Sequence, residues 1–296
     1  MEKIIDLHIH TNISDGALSP KEVIDEAFKN GVHTISICDH DTIEAYDEDL
    51  FDYAKSKNIE LIPGVEISTK FKKVGVHILG YNFDYTNNEL RKKLGLLRNA
   101  RHDYLYNVAK KLEEVGYTID VETLDQVDAV TKAHIAGDAV TRKENEEQLL
   151  KQFGYIPSKG EFIETIMNEG CPAYVKKETI SPKEVAELIR QASGKVVLAH
   201  PVAYQNEDNF TDQDILELVE ELKADGIEAN YIYVNRHNEV INDSEKWNKF
   251  ATENHLFTTI GSDFHNKDGL HAEIGFINTN FKLDNLKIQQ ILDNLK

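Results

Sequence analysis

Two histidines and two aspartates lie within eleven residues near the start of the chain, in the segment DLHIHTNISDG at residues 6–16. The apolar residues KII just before them are typical of the beginning of a buried strand. Since side chains alternate between the two faces of a strand, His8 and His10 are expected to project to the same side. Two imidazoles on one face can bind a divalent metal ion, although an HxH pair alone is weak evidence for such a site.

Imidazoles and carboxylates also mark the ends of the other predicted strands, which strengthens this interpretation. The candidates are Asp15 after the first strand, His40 and Asp41 after the second, Glu66 after the third, His77 at the start of the fourth, His200 ending the fifth, and Asp263 and His265 after the seventh. In a barrel, the carboxyl ends of the strands surround the mouth where active sites lie. His77 departs from this rule. The mixture of ligand types suits Mn²⁺, Fe²⁺ or Zn²⁺ and fits poorly with Ca²⁺.

The elements that must position these side chains alternate along the chain. Seven short apolar runs predict strands at residues 3–8, 34–39, 59–64, 76–81, 195–200, 226–230 and 257–262. Amphipathic helical patterns separate several of them; one begins at Ser19, has Pro20 in its first position and ends at Gly31, and the pattern recurs at 181–194. Strands and helices that alternate over short connections predict parallel strands with right-handed crossovers. Seven strands favour an α/β barrel over an open sheet.

Residues 87–178 interrupt this alternation with a series of helical patterns and only short strand-like pieces, such as residues 172–175. We therefore expect two domains. Residues 1–86 and 179–296 would form the barrel and carry the metal-binding residues, and residues 87–178 would form a mainly helical insertion, or cap.

The composition limits the class of protein. The 296 residues include 33 basic and 52 acidic side chains, a net charge of −19, which discourages binding to double-stranded nucleic acid or to anionic membranes. It does not exclude a small anionic substrate, because bound metal ions reverse the local charge. Two cysteines are too few for a disulfide framework, and no segment resembles a signal peptide or a membrane span, so a cytoplasmic protein is expected.

Six ordered motifs extend along nearly the whole chain: DLHIHTNISDGALSP, CDHDT, GVEIS, HILGY, LAHP and GSDFH. They resemble the successive motifs of the PHP (polymerase and histidinol phosphatase) superfamily. The segments GCPAYVKKETISPKEVAELI and KAHIAGDAV resemble the insertion of one branch, which includes nucleoside 3′,5′-bisphosphate phosphatases and 5′-to-3′ exoribonucleases that act on short RNA. The resemblance implies a distorted (β/α)7, TIM-like barrel with two or three divalent metal ions.

The resemblance also implies which residues bind each ion. His8, His10, Glu66 and Asp263 would bind the first, Glu66, His77 and His200 the second, and Asp15, His40 and His265 the third. Manganese, iron and zinc all suit these ligands, and magnesium is a further candidate. From their positions beside the ligands, Asp6 and Asp41 are expected to accept hydrogen bonds from ligand imidazoles.

Clustered divalent ions would neutralise the phosphate oxygens of an ester and supply hydroxide near neutral pH. The sequence contains no Gly-x-Ser-x-Gly elbow, Walker A loop or GxGxxG turn, so direct attack by metal-activated hydroxide on a phosphomonoester or terminal phosphodiester is the hypothesis. Its catalytic residues would be Asp15, Glu66, His200, Asp263 and His265. A nearby imidazole, that of His200 or His265, or a metal-bound water would protonate the leaving oxygen.

The expected substrate is a small phosphorylated molecule, either a nucleoside 3′,5′-bisphosphate or a short 5′-phosphorylated RNA. Five residues are weaker candidates for binding it: Arg101, His134, Lys177, Arg236 and His237. Alternatives are a histidinol-phosphate phosphatase, a non-catalytic metal-binding module, and an amidohydrolase, which would usually carry a carbamylated lysine where this chain has Glu66. The sequence leaves the metal and the oligomeric state open.

Overall fold

The computed structural model describes residues 4–72, 74–127, 130–176, 180–235, 238–267, 272–277 and 279–296. The chain divides into two compact units. One consists of Met1–Leu94 and Thr179–Lys296, and the other consists of Gly95–Glu178. Within the described ranges, no helix combines the length and the apolar character needed to cross a membrane.

The first unit is built around a seven-stranded sheet. Its strands in spatial order are β1 (Ile5–Ile9), β2 (Thr34–Ile37), β3 (Glu60–Phe71), β4 (Val74–Tyr81), β5 (Lys195–Leu198), β6 (Gly226–Asn230) and β9 (Phe257–Ile260); β7 (Tyr233–Val234) and β8 (Val240–Ile241) form a separate hairpin. The amide of His10 donates to the Phe264 carbonyl at 2.9 Å, and the amide of Asp263 donates to the His8 carbonyl at 2.8 Å. These bonds join the two edges, so the predicted barrel is confirmed and is nearly closed.

The alternation of strands and helices predicted that all strands are parallel, and for β4 this prediction is wrong. Strand β4 pairs antiparallel with both β3 and β5, whereas the other neighbouring pairs in the sheet are parallel. Strand β3 also continues to Phe71 instead of ending at residue 64, and β4 begins at Val74. This connection is too short for the crossover that a parallel pair needs. The start of β4 therefore lies at the same edge of the barrel as the carboxyl ends of its neighbours.

The helices that lie wholly within the described residues of the first unit are α1 (Pro20–Lys29), α2 (Glu48–Ser56), α8 (Pro182–Gln191), α9 (Pro201–Glu207), α10 (Asp212–Leu222), α11 (Ser244–Glu253) and α12 (Asn285–Leu295). The predicted helix starts at Ser19 and Ser181 are confirmed. Each serine accepts a hydrogen bond from the amide three residues later, and the glutamate there accepts from the serine amide. This reciprocal pair satisfies two amides that a helix start would otherwise leave unpaired.

The long helix α3 (Asn88–Glu114) leads into a helical unit containing α4 (Val121–Leu124), α5 (Lys132–Thr141), a 3-10 turn (Lys143–Asn145), α6 (Glu146–Phe153), α7 (Lys159–Phe162) and a π-helical turn (Ile163–Met167). Leu105, Leu112, Ile135 and Phe162 are fully buried in its own hydrophobic core. Residues 172–175, which have a strand-like composition, lie in a turn and a loop. No strand occurs among the described residues of the second unit.

A buried tyrosine fastens β2 to β3, the strands that position His40 and Glu66. The Tyr46 hydroxyl donates to the Ile37 carbonyl at 2.6 Å and accepts from the amide of Gly64 at 2.8 Å. A Cβ atom at position 64 would lie 2.1 Å from the Ser36 hydroxyl oxygen, so only glycine allows this close approach.

Substitution of Tyr46 by phenylalanine is expected to lower the free energy of unfolding by about 1–3 kcal/mol, because it leaves buried backbone groups without this partner. Urea denaturation followed by circular dichroism measures the change. Tyr53→Phe is the matched control, since the Tyr53 hydroxyl bonds the carboxylate of Asp25 near the surface. Equal unfolding midpoints for the two variants would contradict the expectation.

Candidate metal centre

The nine predicted ligand side chains converge at one edge of the barrel. His8 lies on β1 and His10 just after it, Asp15 lies in the following loop, His40 follows β2, Glu66 lies within β3, His77 within β4, His200 after β5, and Asp263 and His265 after β9. His77 joins the cluster because β4 runs antiparallel to its neighbours. Its position near the start of a strand, an exception in the sequence, is thus explained by the direction of that strand.

The first group surrounds a point between β1, β3 and the end of β9. His8 Nε2 lies 3.1 Å from His10 Nε2, 3.4 Å from Glu66 Oε2 and 3.4 Å from Asp263 Oδ1. His10 Nε2 lies 3.2 Å from the same Glu66 oxygen and 3.1 Å from Asp263 Oδ1. Four ligand atoms therefore lie close together on residues that are at least nine-tenths buried.

The second group is centred on the other oxygen of the same glutamate. Glu66 Oε1 lies 2.9 Å from His77 Nδ1 and 3.0 Å from His200 Nε2. His40 Nδ1 approaches Glu66 Oε2 at 3.1 Å. Both oxygens of Glu66 are therefore surrounded by imidazole nitrogens, the arrangement that a carboxylate needs in order to bridge two ions.

The third group is centred on Asp15. Its Oδ1 lies 3.4 Å from His265 Nε2 and 3.5 Å from His10 Nδ1, and its Oδ2 lies 3.6 Å from His40 Nε2. The resemblance implied Asp15, His40 and His265 for this group. The geometry adds His10, whose two ring nitrogens face two different groups.

Burial and neighbouring charges set the protonation of the cluster. Burial raises the pKa values of Glu66 and Asp263, but the surrounding imidazoles outweigh it and hold both well below the usual range. Burial lowers the pKa of His10, but hydrogen bonds to Asp263 and Glu66 raise it to about 10. Burial dominates at His40 and lowers its pKa to about 3. The carboxylates are thus ionised, as metal ligands must be.

Several nitrogen atoms of the cluster have no hydrogen-bond partner among the described residues, although buried polar atoms normally have one. These atoms are Nδ1 of His10, His40, His77 and His200. Three of them lie near carboxylate oxygens, which are acceptors only when ionised: His10 Nδ1 is 3.5 Å from Asp15, and His40 Nδ1 and His77 Nδ1 are 3.1 and 2.9 Å from Glu66. Divalent cations fit this donor set, because they bind such lone pairs simultaneously.

Three residues at the centre adopt the left-handed backbone conformation that non-glycine residues rarely occupy: Asp41 (φ 52°), His200 (φ 22°) and Asp263 (φ 53°). Hydrogen bonds fix Asp41 and Asp263. The Asp41 carboxylate accepts from the Ser68 amide at 2.8 Å, and the Asp263 amide is bonded to β1 as described above. Strained backbone at strand ends is typical of functional sites, where it aims side chains that a regular strand would direct elsewhere.

The two predicted supporting aspartates have different surroundings. The Asp6 carboxylate accepts the amides of Ser262 at 3.0 Å and Gly275 at 2.9 Å, and that of His8 at 3.4 Å. It therefore holds backbone segments, and its hydrogen bonds do not reach a ligand imidazole. The Asp41 carboxylate accepts the amide of Ser68 on β3, and its hydrogen bond to a ligand imidazole stays a prediction.

Sequence reasoning missed three supporting residues. Asp39 accepts the amide and hydroxyl of Thr11, both at 2.7 Å, and so anchors the loop that carries Asp15. The Tyr231 hydroxyl donates to Asp263 Oδ2 at 3.2 Å. Glu228, fully buried on β6, lies 3.0 Å from His8 Nδ1. An acidic residue inside the apolar run GIEAN was the available signal for Glu228.

Most of the predicted substrate-binding side chains lie outside the described residues: these are Arg101, Lys177, Arg236 and His237. His134 is described and lies in the first turn of α5. Its Nδ1 accepts the amide of Thr131 at 3.1 Å, and the Thr131 hydroxyl accepts the amide of His134. This pair caps the helix start, which gives His134 a structural role, and its contact with substrate stays a prediction.

The sequence and the fold of this chain are similar to those of several known proteins. The sequence profile of the PHP domain matches residues 6–237. A 5′-3′ exoribonuclease of Haemophilus influenzae is 32% identical over 90% of this chain and 91% of its own length. A 3′,5′-nucleoside bisphosphate phosphatase of Chromobacterium violaceum is 27% identical over 88% of this chain and 87% of its own length. A solved structure from that organism, described as an amidohydrolase, covers 98% of this chain and 96% of its own, with a TM-score of 0.76 and 23% identity, which supports the fold alone.

Substitution of Glu66 by glutamine is expected to weaken Mn²⁺ binding by at least about tenfold, because it removes the charge that faces both ion positions. Isothermal titration of the metal-stripped protein measures the affinity, and circular dichroism checks that the fold is retained. Glu60→Gln is the matched control on the same strand, where Glu60 is exposed and accepts from Thr34 at 3.2 Å. A Glu66→Gln titration that superimposes on that of the unmodified protein would refute the assignment.

Proposed function

The chain belongs to the PHP domain family and is a metal-dependent phosphoesterase, and we propose that it hydrolyses small nucleotides phosphorylated on both the 5′ and the 3′ side. A nucleoside 3′,5′-bisphosphate and a short 5′-phosphorylated RNA both contain this unit. The observation that carries the proposal is the convergence of six imidazoles and three carboxylates at one rim of the barrel.

The ligands are assigned to the ions as the family resemblance implies, with two additions from the geometry. His8, His10, Glu66 and Asp263 would hold one ion, Glu66, His77 and His200, with His40 beside them, a second, and Asp15, His40 and His265, with His10 beside them, a third. When bound, such ions acidify a water molecule and neutralise phosphate oxygens. Manganese, iron or zinc suits these ligands, and magnesium is the weaker candidate.

The chain itself contributes orientation and proton transfer. Glu66 presents one oxygen to each of two ligand groups, which fixes the spacing of those groups. His200 and His265 are the candidate side chains for donating a proton to the leaving oxygen, and a metal-bound water is the alternative donor. The His265 side chain is 19% exposed and that of His200 is 9% exposed, so His265 is the more accessible of the two. Asp15, Glu66 and Asp263 complete the catalytic set.

The nucleotide assignment is supported by what the relatives share. One is named for removing nucleotides from the 5′ end of RNA, and the other for hydrolysing a nucleoside bisphosphate. Both names describe hydrolysis of a phosphate ester in RNA or in a nucleotide. The net charge of −19 does not oppose an anionic substrate, because divalent ions would locally outweigh the three ligand carboxylates.

The competing functions are less well supported. A histidinol-phosphate phosphatase would use similar ligands, but two relatives are named as an exoribonuclease and as a nucleoside bisphosphate phosphatase. A non-catalytic metal-binding module has no need for nine ligand side chains in three overlapping groups. An amidohydrolase would usually have a bridging lysine, whereas the family resemblance assigns the bridging position in this chain to Glu66, whose two carboxylate oxygens face different imidazoles.

A substrate screen with Mn²⁺ tests the proposal. Adenosine 3′,5′-bisphosphate, a short 5′-phosphorylated oligoribonucleotide, its unphosphorylated form and histidinol phosphate are compared by phosphate release and by chromatography of the products. We expect turnover of the first or the second, loss of turnover on chelation, and recovery when Mn²⁺ is restored. Preferential hydrolysis of histidinol phosphate, or turnover unaffected by chelation, would overturn the nucleotide proposal or the metal proposal respectively.

In the same assay, Asp263→Asn should lower kcat/KM by roughly 100- to 1,000-fold, the usual cost of removing one group that stabilises the transition state. Asp293→Asn is the control, because Asp293 is exposed on α12 and bonds only the Gln289 side chain among the described residues. Full activity of the Asp263 variant would exclude that residue from the site.

A further inference from the structure

Strand β6 contributes no side chain to the three ligand groups formed by the described residues. It nevertheless places a fully buried carboxylate, Glu228, beside the centre. We propose that Glu228 is a positioning residue: it holds His8 in the tautomer that directs a free Nε2 lone pair at the first ion position. The inference rests on the proposed metal centre.

The contacts of Glu228 determine this tautomer. Its Oε1 and Oε2 lie 3.0 and 3.2 Å from His8 Nδ1. Since an ionised carboxylate only accepts hydrogen bonds, the proton of a neutral His8 ring resides on Nδ1. Nε2 is then unprotonated, and it is the atom that faces His10, Glu66 and Asp263 at 3.1 to 3.4 Å. A proton on Nε2 would instead point at the ion position.

The same carboxylate also holds a second ligand residue. Glu228 Oε2 accepts the amide of His200 at 2.9 Å, at the residue whose φ of 22° is strained. One side chain thus fixes the ring of His8 on β1 and the backbone of His200 after β5. Bonds of this kind from outside the ligand set typically change metal affinity or activity by roughly 10- to 100-fold.

An independent feature shows that the chain is built to accommodate this contact. Gly261 lies just after β9, against the pair. A Cβ atom there would lie 2.2 Å from His8 Cβ and 2.5 Å from Glu228 Oε1. Any larger residue would displace His8 or Glu228, so the glycine leaves room for the bond between them.

The Glu228→Gln substitution distinguishes control of the His8 tautomer from simple structural support. Glu228→Gln keeps the shape and one acceptor oxygen, which can still accept the amide of His200. Its amide NH₂ then faces His8 Nδ1 and favours the opposite tautomer, with the proton on Nε2. We expect Zn²⁺ to bind this variant roughly 10- to 100-fold more weakly, with the melting temperature of the metal-free protein close to that of the unmodified chain.

The experiment combines titration calorimetry with Zn²⁺ and long-range ¹H–¹⁵N NMR of the histidine rings in the zinc-loaded protein, with the His8 signals assigned by their loss in His8→Asn. Asp225→Asn is the matched control, because Asp225 precedes β6 at its other end and accepts the Val196 amide at 2.8 Å. The control should bind Zn²⁺ as the unmodified chain does.

Weaker Zn²⁺ binding by Glu228→Gln, together with Nδ1 protonation of His8 in the unmodified protein, supports the proposal. Equal affinity of the two proteins, or a His8 proton on Nε2 in the unmodified protein, overturns it without affecting the metal centre itself. If the Glu228→Gln variant does not fold, the position of the His8 ring proton in the unmodified protein, measured by NMR, still tests the proposal. An unmodified chain that binds no Zn²⁺ overturns both this inference and the proposed function.

Discussion

The structure of the site depends on one buried carboxylate that is surrounded by imidazoles. Glu66 is 1% exposed and lies within 3.4 Å of five histidine rings: those of His8, His10, His40, His77 and His200. A buried charge is costly unless it is paired, and here the pairing imidazoles come from four strands or the residues that follow them: β1, β2, β4 and β5. In the metal-free chain, protonated imidazoles can balance the charge. Metal ions would replace those protons and remain between the same atoms.

The fold delivers these groups by several separate devices. The hairpin of β3 and β4 brings Glu66 and His77 side by side, in spite of the reversed direction of β4. Hydrogen bonds between β1 and the residues after β9 bring Asp263 against His8. Left-handed residues at the ends of β2, β5 and β9 turn the chain sharply at the rim. None of these structural features alone creates a binding site. The candidate metal centre forms because all of them lie at the same edge of the barrel.

Much of this arrangement could be predicted from the sequence. The recurrence of histidine and acidic residues at strand ends identified the candidate ligands, and the ordered motifs gave the barrel and its family. The direction of β4 could not be predicted from local pattern, because an apolar run has the same appearance in either direction. Nor could the pattern predict Glu228, since a contact between residues 8 and 228 exists only once the sheet has formed. The two ring nitrogens of His10 face different carboxylates, Asp15 and Asp263, and this too depends on how the loop that carries Asp15 folds.

Anomalous scattering from crystals grown with Mn²⁺ shows whether divalent ions bind among these side chains. We expect two or three anomalous peaks at the rim, one of them within bonding distance of His8 Nε2 and Asp263 Oδ1, and a neighbouring peak that also contacts Glu66. Anomalous peaks only elsewhere on the protein surface, or the absence of any peak in contact with Glu66, in crystals saturated with Mn²⁺ would contradict the proposed metal centre.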